Sequence, residues 1–123
     1  MKNLNSINQQ IIIPDFIKNI TLLDSNLGYY NSTLYLTIKL FYPINISFAK
    51  LILFLTSYPY NCNIINWDEE EKFDFDTHIS TIFLLTFSNY PQFFKNTPIQ
   101  NISTKNIANI FGFSTKNASN TKN

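Results

Sequence analysis

The chain has 123 residues, of which 45% are apolar, enough for one hydrophobic core but too few for two independent domains. Only 14% of the residues are charged, and 9 lysines nearly balance 8 acidic residues without any arginine, which argues against nucleic acid as a partner. The single cysteine, Cys62, has no disulfide partner within the chain, and no apolar run reaches the roughly 18 residues of a membrane-spanning helix. Composition therefore predicts one cytoplasmic domain without a transmembrane segment.

The first thirty residues have the weakest pattern. Phe16, Ile17 and Ile20 recur at helical spacing, and Pro14 fits the first turn of a helix. We therefore predict a helix from about Asp15 to Leu23.

The next two segments predict neighbouring strands. Between Ser32 and Tyr42, aliphatic residues alternate with more polar ones, as in a strand with one buried face. A second apolar run extends from Phe48 to Thr56. The stretch 43–47 between them is short enough to connect an antiparallel hairpin.

A long amphipathic helix is predicted from about Asp68 to Tyr90. Asp68 and Glu71 fit a capping box, and the acidic run 68–71 suits the positive end of the helix dipole. Further along, one helical face is formed by Phe75, Ile79, Ile82, Phe83, Thr86, Phe87 and Tyr90. Pro91 then ends the helix.

The C-terminal part predicts a short helix and a tail. Ser103 or Thr104 is a suitable N-cap, and Gly112 is a suitable stop. Residues 114–123 are polar and predict a disordered tail. Together these elements predict one domain over residues 1–113, of the α/β (α+β) class, with an antiparallel sheet and flanking helices.

Groups that carry catalysis are scarce. His78 is the only histidine, and its spacing from Cys62 gives no sign of a Cys-His dyad. A set of zinc ligands cannot be assembled, and neither glycine belongs to a phosphate-binding loop. Asp74 and Asp76 would lie on opposite sides of the predicted helix. We therefore predict a protein that is not an enzyme and has no catalytic, cofactor-binding or metal-binding residues.

Aromatic residues are abundant, with 12 Phe, 7 Tyr and 1 Trp in the chain. A two-layer core does not readily hide this number, so some are expected on a contact surface. Those that stand next to turns or prolines are Trp67, Tyr58, Tyr60, Tyr90, Phe93 and Phe94. The alternative is that these aromatic residues pack over the ends of the sheet.

The segment from Phe87 to Ile99 resembles sedlin, a small subunit of the transport protein particle (TRAPP) that tethers vesicles. In that family a long helix ends in Phe-Ser, and an Asn-Ser-Pro-Ile run leads into the last helix. The matching positions here are Phe87, Ser88, Pro91, Phe93, Asn96, Thr97, Pro98 and Ile99. The runs 34–36 and 51–55 are similar to two strands of sedlin-like proteins.

The resemblance implies a longin-like or profilin-like fold that acts by assembly. A longin-type fold begins with two strands before its first helix, and the sequence leaves no room for them. The expected domain is therefore incomplete, with an open sheet edge that invites pairing. The surface expected to meet partners comprises Tyr90, Pro91, Phe93, Phe94, Pro98, Ile99 and Trp67.

The implied function is that of a non-catalytic subunit of a vesicle-tethering complex in transport between the endoplasmic reticulum and the Golgi. Its partners would be the other subunits, through which it would associate peripherally with those membranes. The alternative is an all-β sandwich, as in a viral or secreted structural or adhesive protein, with a strand instead of a helix at 79–88. Glycans would then occupy the sequons at Asn19, Asn31, Asn45, Asn101 and Asn117.

Overall fold

The computed structural model describes residues 12–69, 77–88, 91, 94 and 102–116. Within these ranges the chain forms a sheet with flanking helices, so the α+β class is confirmed. The strands are β1 (Thr21–Tyr30), β2 (Thr33–Pro43), β3 (Cys62–Glu69), β4 (His78–Phe87) and β5 (Ser114–Thr115). The helices are a 3₁₀ helix (Asp15–Asn19), α1 (Phe48–Thr56) and α2 (Thr104–Phe111). No helix among the described residues is long and apolar enough to cross a membrane.

The strand order is β3-β4-β2-β1-β5. The first four strands are antiparallel to their neighbours, whereas β5 runs parallel to the start of β1, so the sheet is mixed and not purely antiparallel as predicted. Strand β2 lies at the centre, and burial alternates from Leu34 to Tyr42 as its sequence pattern predicts. Both α-helices bury their apolar residues in the same core as this face of β2, so the domain has two layers.

The predicted helix 15–23 is wrong beyond residue 19, because Thr21 begins β1 and pairs with Phe41 of β2. Asn31 and Ser32 connect the two strands with φ angles of 51° and 67°, as in a type I′ hairpin turn. Two strands therefore precede the first α-helix, and the prediction that they would be missing is also wrong. Pairing with the central strand outweighs the helical spacing of a few apolar residues.

The predicted strand 48–56 is a helix, α1. The hydroxyl of Ser47 accepts a hydrogen bond from the backbone N–H of Lys50 at 3.2 Å and caps the helix start. Leu51 and Leu55, four residues apart, are fully buried in the core. An apolar run without alternation fits either structure, and here β4 takes the place beside β2 that this segment was expected to fill.

The predicted helix 68–90 is also wrong, since β3 extends to Glu69 and β4 begins at His78. β4 pairs with β2 on one side and with β3 on the other. Its Ile, Thr and Phe residues are strand formers, and a strand buried between two others loses the clear alternation by which strands are recognised. The all-β alternative gains this strand but is overturned by α1 and α2.

The predicted C-terminal helix is confirmed as α2. Ser103 and Asn106 form a reciprocal capping box with two bonds of 3.1 Å, and Gly112 follows the helix with φ 90°. The predicted disordered tail begins too early, because Ser114 and Thr115 form β5. The backbone N–H of Ser114 donates to the carbonyl of Ile20 at 2.9 Å and joins β5 to the sheet.

Candidate functional site

The structure places the described residues among those predicted to meet partners in different environments, one exposed and two buried. Trp67 lies on β3 and is 52% exposed. Phe94 is fully buried and makes an edge contact with Phe87 at 6.0 Å between ring centroids, and Pro91 is buried too, so neither presents a surface. The other predicted residues, Tyr90, Phe93, Pro98 and Ile99, lie outside the described residues.

Two further aromatic residues next to turns have different environments. Tyr58 is exposed, whereas Tyr60 is buried and stacks on Phe111 at 4.5 Å. The Tyr60 hydroxyl donates to the carbonyl of Ile110 at 2.7 Å, which fastens the turn after α1 to the end of α2. Tyr60 is therefore a packing residue, as the alternative interpretation of the aromatic residues predicts.

Aromatic and polar groups of the described residues surround a cleft of about 270 Å³ at the end of the sheet where α1 begins. We call it the Trp67 cleft, and it is lined by Tyr42, Ile44, Ile46, Phe48, Trp67, Glu69, Ile79 and Thr81. Ligand pockets usually measure about 300–1,000 Å³. The Trp67 cleft is therefore suited to a small ligand or to one side chain.

Three strands supply the floor of the Trp67 cleft. Tyr42 of β2 lies opposite Ile79 of β4, and Thr81 lies opposite Glu69 of β3. The hydroxyls of Tyr42 and Thr81 form a buried hydrogen bond of 2.7 Å. The floor therefore holds a fixed pair of hydroxyls beneath apolar walls.

An irregularity in β3 directs two side chains into the cleft. The pairing with β4 shifts between Ile64 and Asn66, which adds Ile65 as an extra residue. Without this extra residue, the alternation of side chains along β3 from Ile64 would turn Asn66 and Asp68 to the core face. With it, Trp67 pairs with Phe83 and Glu69 pairs with Thr81, so both share the face of the cleft.

Aromatic contacts hold the wall of the cleft. Phe48, the first residue of α1, stacks on Phe83 with 5.8 Å between centroids and 15° between planes. Trp67 is tilted by 51° against Phe48 at 5.7 Å. Because Phe83 is fully buried, it anchors the two partly exposed rings to the core.

The electrostatics of the Trp67 cleft are set by one carboxylate. Among its described lining residues, only Glu69 carries a charge at neutral pH. Burial raises the pKa of the Tyr42 phenol, the bond to Thr81 partly lowers it, and the charge of Glu69 raises it further. Tyr42 therefore remains a neutral hydroxyl, and Glu69 is the one formal charge among the described lining residues.

The geometry rules out a Cys62–His78 dyad. Cys62 pairs with Phe87 at one end of β4 and His78 occupies the other, so about 30 Å separates them at about 3.3 Å per residue. Burial raises the pKa of the Cys62 thiol to about 12, which keeps it protonated. His78 is in hydrogen-bond contact with Thr77 at 3.0 Å and stacks on Phe41 at 4.8 Å.

Ser80 carries a buried hydroxyl, a group that serves as the nucleophile in some enzymes. It lies on the same face of β4 as His78, two residues away, but its hydroxyl is buried and has no hydrogen-bond partner. A serine nucleophile needs a base within hydrogen-bond reach, so these two residues do not form an activated pair. In the part of the chain that the structure describes, no group of three or more His, Cys, Asp or Glu residues could hold a metal ion.

A second, more open depression of about 300 Å³ lies on the opposite face of the sheet. It is lined by Asn26, Gly28, Tyr29, Tyr30, Tyr35 and Thr37, and the missing side chain of Gly28 leaves its space. No charged residue is among its described lining residues, and Tyr29 and Tyr30 are 58% and 68% exposed.

Sequence reasoning identified Trp67 but missed the rest of the Trp67 cleft. The sequence pattern predicts a strand at Phe48 and the first turn of a helix at Glu69, so it gives no reason to expect these two residues around one cleft. Comparisons with family models, with curated proteins and with solved structures find no match to this chain.

Proposed function

We propose that this chain is a non-catalytic module that acts by binding other protein chains. The observation that carries the proposal is the apolar surface at the mouth of the Trp67 cleft, where Ile44, Phe48 and Trp67 are 45%, 36% and 52% exposed. Large apolar and aromatic side chains grouped on a surface are typical of binding sites, and tryptophan often dominates binding energy.

Binding suits the described residues better than catalysis does. The buried thiol of Cys62 and the distant His78 cannot cooperate, and the hydroxyl of Ser80 has no base beside it. By contrast, the rings at the cleft mouth are held in place by Phe83, and a preorganised surface loses little entropy on binding.

Within this class we propose the narrower role that the sequence resemblance suggests, a subunit of a vesicle-tethering complex. It would act in the cytoplasm between the endoplasmic reticulum and the Golgi, with the other subunits as partners. The support is the sequence match from Phe87 to Ile99. Where sedlin has a long helix before this match, the present chain has β4, so the narrower role depends on the sequence alone.

The test compares Trp67→Lys with Tyr58→Lys, a control at another exposed aromatic position, which follows the end of α1 that is opposite to Phe48. Tagged versions are purified under mild crosslinking from the cells in which the protein is naturally made. We expect defined partners in fixed ratio with the unchanged chain, at least about tenfold less with Trp67→Lys, and full recovery with Tyr58→Lys.

Recovery of tethering-complex subunits would support the role in vesicle tethering. Defined partners of another kind would support only the general proposal of a protein-binding module. If both variants recover partners equally, the cleft mouth is not the binding surface and the proposal fails. A homogeneous monomer without partners would contradict it as well.

A further inference from the structure

We propose that the Trp67 cleft binds a small organic cation, an ammonium group carried on a short aromatic stem. This site is distinct in chemistry from a protein interface, and its test does not require that any protein partner exists.

At the base of the cleft lie the hydroxyls of Tyr42 and Thr81, residues that are only 3% and 1% exposed, and together they have more acceptor than donor capacity unused. Two hydroxyls together offer two donor hydrogens and four acceptor lone pairs. The hydrogen bond between Tyr42 and Thr81 uses one donor hydrogen and one acceptor lone pair. One donor hydrogen and three lone pairs of the two hydroxyls therefore remain. A protonated amine has three donors and no acceptor, so it complements such a floor better than a carboxylate does.

The wall is suited to a flat apolar stem. Phe48 and Trp67 present their rings to the cleft, and Ile44, Ile46 and Ile79 complete an apolar lining. An aromatic stem gains contact area against these side chains at little conformational cost. Aromatic rings also attract a nearby cation through their negative faces.

The charge selects the sign of the ligand. Glu69 faces the same side of the sheet as Thr81, directly across from it, and no described lysine lines the cleft. The negative charge of Glu69 is opposed by the start of α1 at Phe48, where backbone N–H groups carry partial positive charge. The Ser47 hydroxyl already accepts a hydrogen bond from one of these N–H groups. The full negative charge of the Glu69 carboxylate outweighs the partial positive charge of the others.

The experiment uses phenethylammonium as the probe, with hydrocinnamate and phenethyl alcohol as anionic and neutral molecules of similar shape. Because Trp67 is the only tryptophan in the chain, its fluorescence reports binding, and amide chemical shifts locate the probe. We expect phenethylammonium to bind with a dissociation constant of about 1–10 mM, in the range for a ligand of this size. The anion should bind at least about tenfold more weakly.

Two surface variants test the role of charge. Glu69→Gln should weaken phenethylammonium binding about two- to fivefold at low salt, as expected for an exposed carboxylate. Asp68→Asn is the matched control, because Asp68 pairs with Ile82 on the opposite face of β3 and should leave affinity unchanged. Both positions are exposed, so both variants should fold.

Four results would overturn the proposal. One is equal or tighter binding of hydrocinnamate, and another is an equal effect of Glu69→Gln and Asp68→Asn. The third is tighter binding of N-acetyl-lysine methylamide than of phenethylammonium, which would assign the cleft to a lysine side chain of a protein. The absence of any response up to about 50 mM phenethylammonium, far above the dissociation constant expected for a ligand of this size, would also contradict it.

Discussion

Gly112 has a backbone conformation that favours glycine and a close side-chain neighbour. Its φ of 90° is in the left-handed region, and a Cβ atom there would lie 2.8 Å from the Ile13 side chain. We expect Gly112→Ala to lower the free energy of unfolding by about 1–2 kcal/mol, measured by urea denaturation. Gly28→Ala is the control, since no atom lies within 4 Å of a Cβ there, and it should change stability by less than about 0.5 kcal/mol. Equal effects would contradict this account.

Cys62 links stability to alkaline pH. The thiol has an ordinary pKa of 9.0, and burial raises it to about 12 in the folded chain, while burial also raises the pKa of Tyr60 to about 12. A group with a raised folded pKa gives its full stabilisation below its unfolded pKa and loses it as the pH rises toward the folded value. Stability should therefore fall between about pH 9 and pH 12.

The measurement is urea unfolding with a reductant present, for the unchanged chain and for Cys62→Val. Between about pH 8 and pH 11 the thiol alone should cost the unchanged chain about 2 kcal/mol that the variant keeps. Valine fills a similar buried volume without a titrating group. Parallel loss of stability in both chains would show that Cys62 does not control the alkaline limit.

At the scale of the elements, the N-terminal cap of α1 distinguishes the observed helix from the strand that the sequence pattern predicts for residues 48–56. Ser47→Ala removes the acceptor of the Lys50 N–H, and we expect the free energy of unfolding to fall by about 1 kcal/mol. Ser57→Ala, at the other end of α1, removes no side-chain cap and should cost less than about 0.5 kcal/mol. Similar small costs at both positions would argue against a capped helix.

Local signals predicted the elements whose structure is decided locally. Alternation identified β2, and the Ser103 cap with the Gly112 stop identified α2. The apolar runs of α1 and β4 show no periodicity that separates a helix from a strand, so their neighbours in the fold decide between the two. β4 has a strand on each side, whereas α1 lies across the sheet and buries Leu51 and Leu55.

The Trp67 cleft could not be predicted for a related reason. Its residues come from β2, the turn before α1, β3 and β4, which are brought together by strand order and by one extra residue in β3. Trp67 attracted attention through its type and position alone. Glu69 became a cleft residue only because the register shift at Ile65 turned it to the same face as Thr81.

At the scale of the whole molecule, the helices occupy the sheet face on which the Trp67 cleft opens. The cleft mouth and the cleft interior share Phe48 and Trp67. A protein partner that covers the mouth and a small cation inside the cleft would therefore compete or influence each other's affinity. The two proposals are separable because the fluorescence titration needs no partner and the partner purification needs no ligand.

Both outer parts of the sheet carry a break in regular pairing. β3 has its irregularity at Ile65, and β1 has another at Leu23, where the two-residue pairing with β5 ends. A regular strand from another copy cannot continue in register past Ile65 of β3, so among the described strands this edge is a poor template for fibril growth. We expect the extra residue that orients Trp67 also to disfavour pairing of β3 with another copy, so that the exposed aromatic surface has no regular backbone edge directly beside it.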